Sequence, residues 1–145
     1  MKKTLGGIFV IIWILSTTHC AKRGTPTGGL KDTLPPVLVE AKPPLNTVNF
    51  DAEKVVMVFD EYMQLINLSN QLIVSPPLEK SEYTIFPEGI ISKKIEIKFN
   101  KPPRDKTTYT FNFGSSILDY NEGNAYPFFS YTFSTGDYLD SLRLS

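Results

Sequence analysis

Asp119, Asn121, Glu122 and Asn124 set four oxygen donors around Gly123 in the run DYNEGN, the densest polar cluster in the sequence. Carboxylates and amides alternating about a glycine are what a calcium loop uses, because Ca²⁺ takes several oxygens from a flexible segment. An EF-hand-type loop counted from Asp119 needs a bidentate glutamate at its closing position, and Ser130 stands there. The cluster therefore reads first as a turn, with Asn and Gly accepting positive φ and Asp119 capping its own backbone. Weak Ca²⁺ binding by the four residues is the alternative.

A second pair of acids, Asp60 and Glu61, sits in FDEY (59–62). Neighbours on a strand point to opposite faces, so these two carboxylates cannot flank one substrate bond. A solvated, turn-forming role fits them better. Nucleophilic and metal chemistry has little else to draw on, because the sequence holds one cysteine, Cys20, and one histidine, His19. There is no G-x-S-x-G, no phosphate-binding glycine loop and no zinc-ligand spacing. No catalytic residue is assigned, and an enzyme is not expected.

The aromatic run AYPFFSYTF (125–133) is the best binding candidate, through Tyr126, Phe128, Phe129 and Tyr131. In a regular strand these rings cannot all face one core. One of Phe128 and Phe129 must reach the outer face or a sheet edge, where an exposed aromatic marks a contact surface. The competing reading packs Phe128 under the 119–124 turn. A glycan platform usually offers tryptophan, and the only one, Trp13, lies in an N-terminal apolar run.

Short alternating segments must position these residues. KKIEIKFN (93–100) sets Ile95, Ile97 and Phe99 against Lys94, Glu96 and Lys98. TTYTFNFG (107–114) sets Tyr109, Phe111 and Phe113 against Thr108, Thr110 and Asn112, and FFSYTFST (128–135) repeats the device. Further strands are expected at 37–41, 47–50, 54–60, 71–75 and 82–86, with a short helical turn or a loop over 61–71. Period-2 alternation with one polar face marks half-buried antiparallel strands. Several of them in a hundred or so residues imply a two-sheet sandwich. The eleven prolines agree, since proline punctuates strands and is expelled from helix interiors.

The N-terminus, MKKTLGGIFVIIWILSTTHC, has a basic start, an apolar stretch from Ile8 to Leu15, and Cys20 directly after small polar residues and His19. Its apolar run suits a secretory signal and is short for a bilayer span. A lone cysteine in an exported chain makes no internal disulfide. The segment resembles the bacterial lipoprotein signal, although Thr17 and His19 stand where that signal usually has Leu and a small residue. The resemblance implies cleavage before Cys20 and a covalent lipid on its thiol, as in the looser signals of Bacteroidetes. Cleavage would leave thirteen basic against fifteen acidic residues, a net charge near −2. That balance offers no footprint for nucleic acid. Residues 20–33 read as a flexible tether. Their lack of an early acidic cluster favours, by the same resemblance, the periplasmic face of the outer membrane over the cell surface.

TLPPVLVEAKPPLNTVNFDAEKVVMVFDEYM resembles the opening of the bacterial Ig-like domain of S-layer and other envelope proteins, through Asp32, Pro35, Pro36, Val37, Phe59, Asp60, Glu61 and Met63. ILDYNEGNAYPFFSYTFSTGD (117–137) matches the end of that family, a strand, a D-x-x-G-N turn and a strand closing in F-S-T. The resemblance implies an all-β, Ig-like antiparallel sandwich of about seven strands over 34–136, preceded by a signal peptide (1–19) and tether. Residues 137–145, where Leu139, Leu142 and Leu144 resume alternation, read as a linker or the start of a following domain. The expected function is a non-catalytic, membrane-anchored spacer or protein-docking module of the cell envelope. Its partners would be the bilayer, through Cys20, and envelope or outer-membrane proteins; polysaccharide binding is the alternative.

Overall fold

The computed structural model describes residues 29–140. Two units are distinguished, Met1–Leu30 and Lys31–Ser145, and the description below concerns the second. The signal read at 1–19, Cys20, the tether up to residue 28 and the tail beyond Asp140 lie outside the described residues.

The strands are β1 (Leu38–Lys42), β2 (Lys54–Leu65), β3 (Ile73–Ser75), β4 (Tyr83–Phe86), β5 (Ser92–Phe99), β6 (Thr108–Asn112), β7 (Ile117–Asp119) and β8 (Ser130–Ser134), with one helical turn, α1 (Leu68–Gln71), after β2. One sheet runs β1-β2-β5-β4 and the other β3-β6-β8, all antiparallel. This is the four-on-three arrangement of a constant-type immunoglobulin sandwich. An additional strand, β7, pairs with the far end of β2.

The alternation explains the core. Val55, Met57 and Phe59 of β2 point inward with Ile95, Ile97 and Phe99 of β5. Tyr109, Phe111 and Phe113 face them from β6 and the residue after it, and Tyr131 and Phe133 from β8. Phe133 is the hub. Its ring centroid lies 4.1 Å from Phe50, 5.5 Å from Phe99 and 5.5 Å from Tyr109. Such aromatic pairs each contribute about 0.5–1.5 kcal/mol beyond their buried area. β1, β3 and β4 each stop at the residue before a proline (Pro43, Pro76, Pro87), where the next residue has no N–H to continue a ladder.

Four expectations are corrected or narrowed. Residues 47–50 form no strand: Asn46 and Asn49 take positive φ and break the run. Thr47 and Phe50 nevertheless tie this segment to the edge of β8 by bonds with Ser134. β2 does not end at Asp60 but continues to Leu65, because Met63 and Leu65 are buried and pair with Asp119 and Ile117 of β7. The helical turn expected somewhere in 61–71 is confined to its last residues. The regular strand expected from residue 128 begins only at Ser130, because Phe128 stands at φ 55° and breaks the extended run.

Candidate interaction surface

The 119–124 cluster lies at the end of the sandwich where the N-terminal lead-in joins the fold. Asp119 ends β7 with only 1% of its surface exposed. Its Oδ1 accepts the N–H of Glu122 at 2.7 Å and its Oδ2 that of Asn124 at 2.8 Å. Burial pushes the Asp119 carboxyl up, but bonds from the backbone N–H groups of Glu122, Asn124, Gly123 and Asn121 outweigh it. The carboxyl is held below its ordinary range. Gly123 takes φ 78°, the conformation the turn reading requires of it. The Asn124 amide turns to the lead-in and donates to the carbonyls of Asp32 and Leu34. Asp119 and Asn124 are thus engaged in a structural turn. Among the described residues, no group of three or more His, Cys, Asp or Glu side chains is placed to hold a metal ion.

Asp60 and Glu61 are divided as adjacent strand residues must be. Asp60 Oδ1 accepts the N–H of Val37 at 2.8 Å, and its carbonyl accepts Lys93 Nζ at 2.7 Å. Asp60 therefore fastens the start of the first strand to the second, and Lys93, lying 5.2 Å over the Tyr62 ring, secures the same spot. Glu61 is half-buried. Burial first, then the charges of Asp119, Asp60, Asp32 and Glu122, raise its carboxyl above the usual range.

The expected four-residue aromatic surface resolves into one exposed ring. Tyr131 is fully buried, and its hydroxyl donates to the Pro43 carbonyl at 2.9 Å. Phe129 is 5% exposed and packs against Phe59, Phe113 and Tyr126. Tyr126 is half-buried against that cluster. Phe128 is 77% exposed. Phe129 shares the inward parity of Tyr131 and Phe133, whereas Phe128, the residue before it at φ 55°, lies outside the strand and out of the core. Phe128 N–H donates to the Gly114 carbonyl at 2.7 Å, and Phe113 N–H to the Phe129 carbonyl at 2.8 Å. Glycine suits position 114, where φ is 56° and a Cβ would stand 3.3 Å from the Gln71 carbonyl oxygen and crowd Gln71 Oε1.

Phe128 borders a surface that the aromatic reading alone overlooks. Ile73, Asn112 and Ser130 align across β3, β6 and β8, and Ser75, Thr110 and Thr132 form the next row. None carries a charge. Thr110 and Thr132 share a hydroxyl hydrogen bond at 3.1 Å, and Ile73 is 65% exposed. The signal was present in the alternation itself, in polar positions filled only by Ser, Thr and Asn.

A family profile described as the bacterial Ig-like domain matches residues 32–135. The chain belongs to the bacterial Ig-like domain family. No curated protein matches it. The bacterial Ig-like domain makes the folded part a structural or interaction module of a generally non-catalytic family. In this bacterial Ig-like domain the matched span opens at Asp32, beside the carbonyl that Asn124 holds, and closes at Thr135. Within it, Asp60 and the 119–124 turn have the structural roles described above.

Proposed function

We propose that this bacterial Ig-like domain is a membrane-anchored lipoprotein module, held by a lipid on Cys20, that serves as a spacer or protein-docking domain in a Bacteroidetes-type cell envelope. The observation that carries the docking part is Phe128, an aromatic ring left in solvent by a backbone conformation that bulky residues rarely adopt. Backbone departures of this kind concentrate at sites of contact or switching. The anchor part rests on the position of Cys20 in the sequence. No helix among the described residues is long and apolar enough to cross a membrane.

The periplasmic face of the outer membrane is the proposed location, with envelope proteins as partners. Polysaccharide binding is the weaker reading, because Phe129 and Tyr131, two of the four rings expected to form a platform, are buried. Crosslinking and pull-down from native membranes, comparing the wild type with Cys20→Ala, tests the proposal. Capture of specific envelope proteins by the wild type, lost with the anchor, supports it. Recovery of polysaccharide alone, or of nothing, by both forms contradicts it.

A further inference from the structure

We infer that the open edge of β8 at Ser130–Thr132 is a strand-addition site, which takes an extended, uncharged segment of a partner protein beside Phe128. The inference deepens the docking reading and rests on it. It follows from where the backbone hydrogen bonds of β8 go. Phe113 N–H donates to the Phe129 carbonyl and Thr135 N–H to the Thr107 carbonyl, so Tyr131 and Phe133 are the β8 residues that bond β6. In an antiparallel ladder the residues between them aim N–H and C=O at the opposite edge. Those residues are Ser130, Thr132 and Ser134.

The second half of that edge is already taken by this chain. Asn46 N–H donates to the Thr132 carbonyl at 2.8 Å, Ser134 N–H to the Thr47 carbonyl at 2.8 Å, and Phe50 N–H to the Ser134 carbonyl at 2.9 Å. Ahead of Asn46 the cover ends, because Pro43 and Pro44 lack an N–H and lead back to β1 in the other sheet. Ser130 N–H, Ser130 C=O and Thr132 N–H are left without a hydrogen-bond partner among the described residues. Donor, acceptor and donor in a row along an extended backbone match one kind of ligand best, a second extended backbone.

The other strand edges carry the usual protections against such pairing, which are charge, proline, a bulge, short length or a covering segment. β1 has a bulge between Leu38 and Glu40, the charges of Glu40 and Lys42, and Pro43 at its end. β3 is three residues long and runs into Pro76, and β4 lies between Glu82 and Pro87. The free side of β7 is bridged by Ala125. β8 holds neither charge nor proline over Ser130–Ser134, and its first half has no covering segment among the described residues.

Phe128 fixes the character of the occupant. It stands two residues ahead of Ser130 and is 77% exposed, so a segment bonded to Ser130 runs on past an apolar ring. An ionised side chain covered there would find no counter-charge on Phe128, Ser130 or Thr132, which selects an uncharged segment. Backbone bonds supply the attachment and the ring supplies a preference for an apolar side chain.

Photocrosslinking of the full chain in native membranes tests the inference, with a benzophenone amino acid at position 128 and either serine, Ser130→Ala or Ser130→Pro at position 130. Ser130→Ala keeps the backbone N–H. Ser130→Pro removes it, at no cost in bonds to β6, since that N–H points to the open edge. Protein adducts should form equally with serine and alanine and fall at least about tenfold with proline. Adducts undiminished in Ser130→Pro, or an equal fall in both variants, overturn the inference while the docking reading stands. Protein adducts absent from all three overturn both. Amide hydrogen exchange of the wild-type full chain gives a readout independent of any variant's folding. The Ser130 and Thr132 amides should exchange at least about tenfold faster than those of Tyr131 and Phe133. A capped peptide alternating threonine and valine, at millimolar concentration, should slow them, and the same peptide interrupted by proline should not. Slow exchange of Ser130 and Thr132 without peptide, or the same response to both peptides, overturns the inference.

Discussion

On β5, Lys94, Glu96 and Lys98 alternate with buried Ile95 and Ile97 and with Phe99; on β6, Thr108, Thr110 and Asn112 alternate with buried Tyr109, Phe111 and Phe113. Inside, the two strands do the same work. Outside, one face carries charges of both signs, and the other carries none in its central rows. The charged face has ion pairs, Lys54 with Glu96 at 3.1 Å and Lys42 with Glu40 at 2.8 Å, but such exposed pairs add only about 0–1 kcal/mol. Their stronger effect is to keep that face in water and away from other sheets. A sandwich can thus present two outer faces of different chemistry with no change to the core beneath.

The most severe way to break the comparison is to remove what both faces share. Phe133→Ala takes the ring that joins Phe50, Phe99 and Tyr109, and an expected loss of about 3–5 kcal/mol should appear in denaturant unfolding. Both faces would be lost together.

Next in size is Asp119→Ala, which leaves the N–H groups of Glu122 and Asn124 without their carboxylate. A cost of about 2 kcal/mol is expected near neutral pH. The pH dependence has a definite sign. A carboxyl held low in the fold stabilises above its unfolded value and loses that contribution as pH falls through the folded value. Wild-type stability should therefore drop as pH falls below the ordinary aspartate value of 3.8, and the variant should lack that drop. Glu61 works in the other direction. Its raised carboxyl disfavours the fold when ionised, a penalty fully present above the folded value and gone below the unfolded one. Glu61→Gln should remove that penalty, so its stability advantage over the wild type shrinks as pH falls. Thermal melts of the three proteins across pH measure both trends.

Phe128→Gly sharpens the comparison. Glycine suits φ 55°, so stability should hold or rise by up to about 1 kcal/mol while partner capture through the exposed ring weakens. The smallest stability effects belong to Thr110→Lys and Val58→Lys, each within about 0.5 kcal/mol of wild type by thermal melting. Equal stabilities would show that both outer faces accept a lysine without cost to the core beneath.

Much of the sandwich is legible in the residues. The alternations of β5, β6 and β8 name their inward side chains, and the same alternation puts Tyr131 inside with Phe133, which argues against using it as a surface ring. The far half of β2 is less legible. Asp60 and Glu61 look like a strand end, and the partner that keeps the chain extended, β7, lies more than fifty residues away. Residues 47–50 mislead in the opposite sense, because Val48 and Phe50 alternate while Asn46 and Asn49 turn the backbone. That one of Phe128 and Phe129 faces out follows from their adjacency, and the alternation of Phe129 with Tyr131 and Phe133 names Phe129 as the inward one; the positive φ of Phe128 is what no local pattern states. The acceptor role of Asp60 toward Val37 was hidden because it joins segments more than twenty residues apart.

Site-specific photocrosslinking in native membranes tests the central claim most directly. A benzophenone amino acid replaces Phe128 in one protein and Val58 in another, and adducts are compared after illumination. The account expects adducts with envelope proteins from position 128 and few from position 58. Equal adducts from both positions, or adducts from position 58 alone, would contradict it.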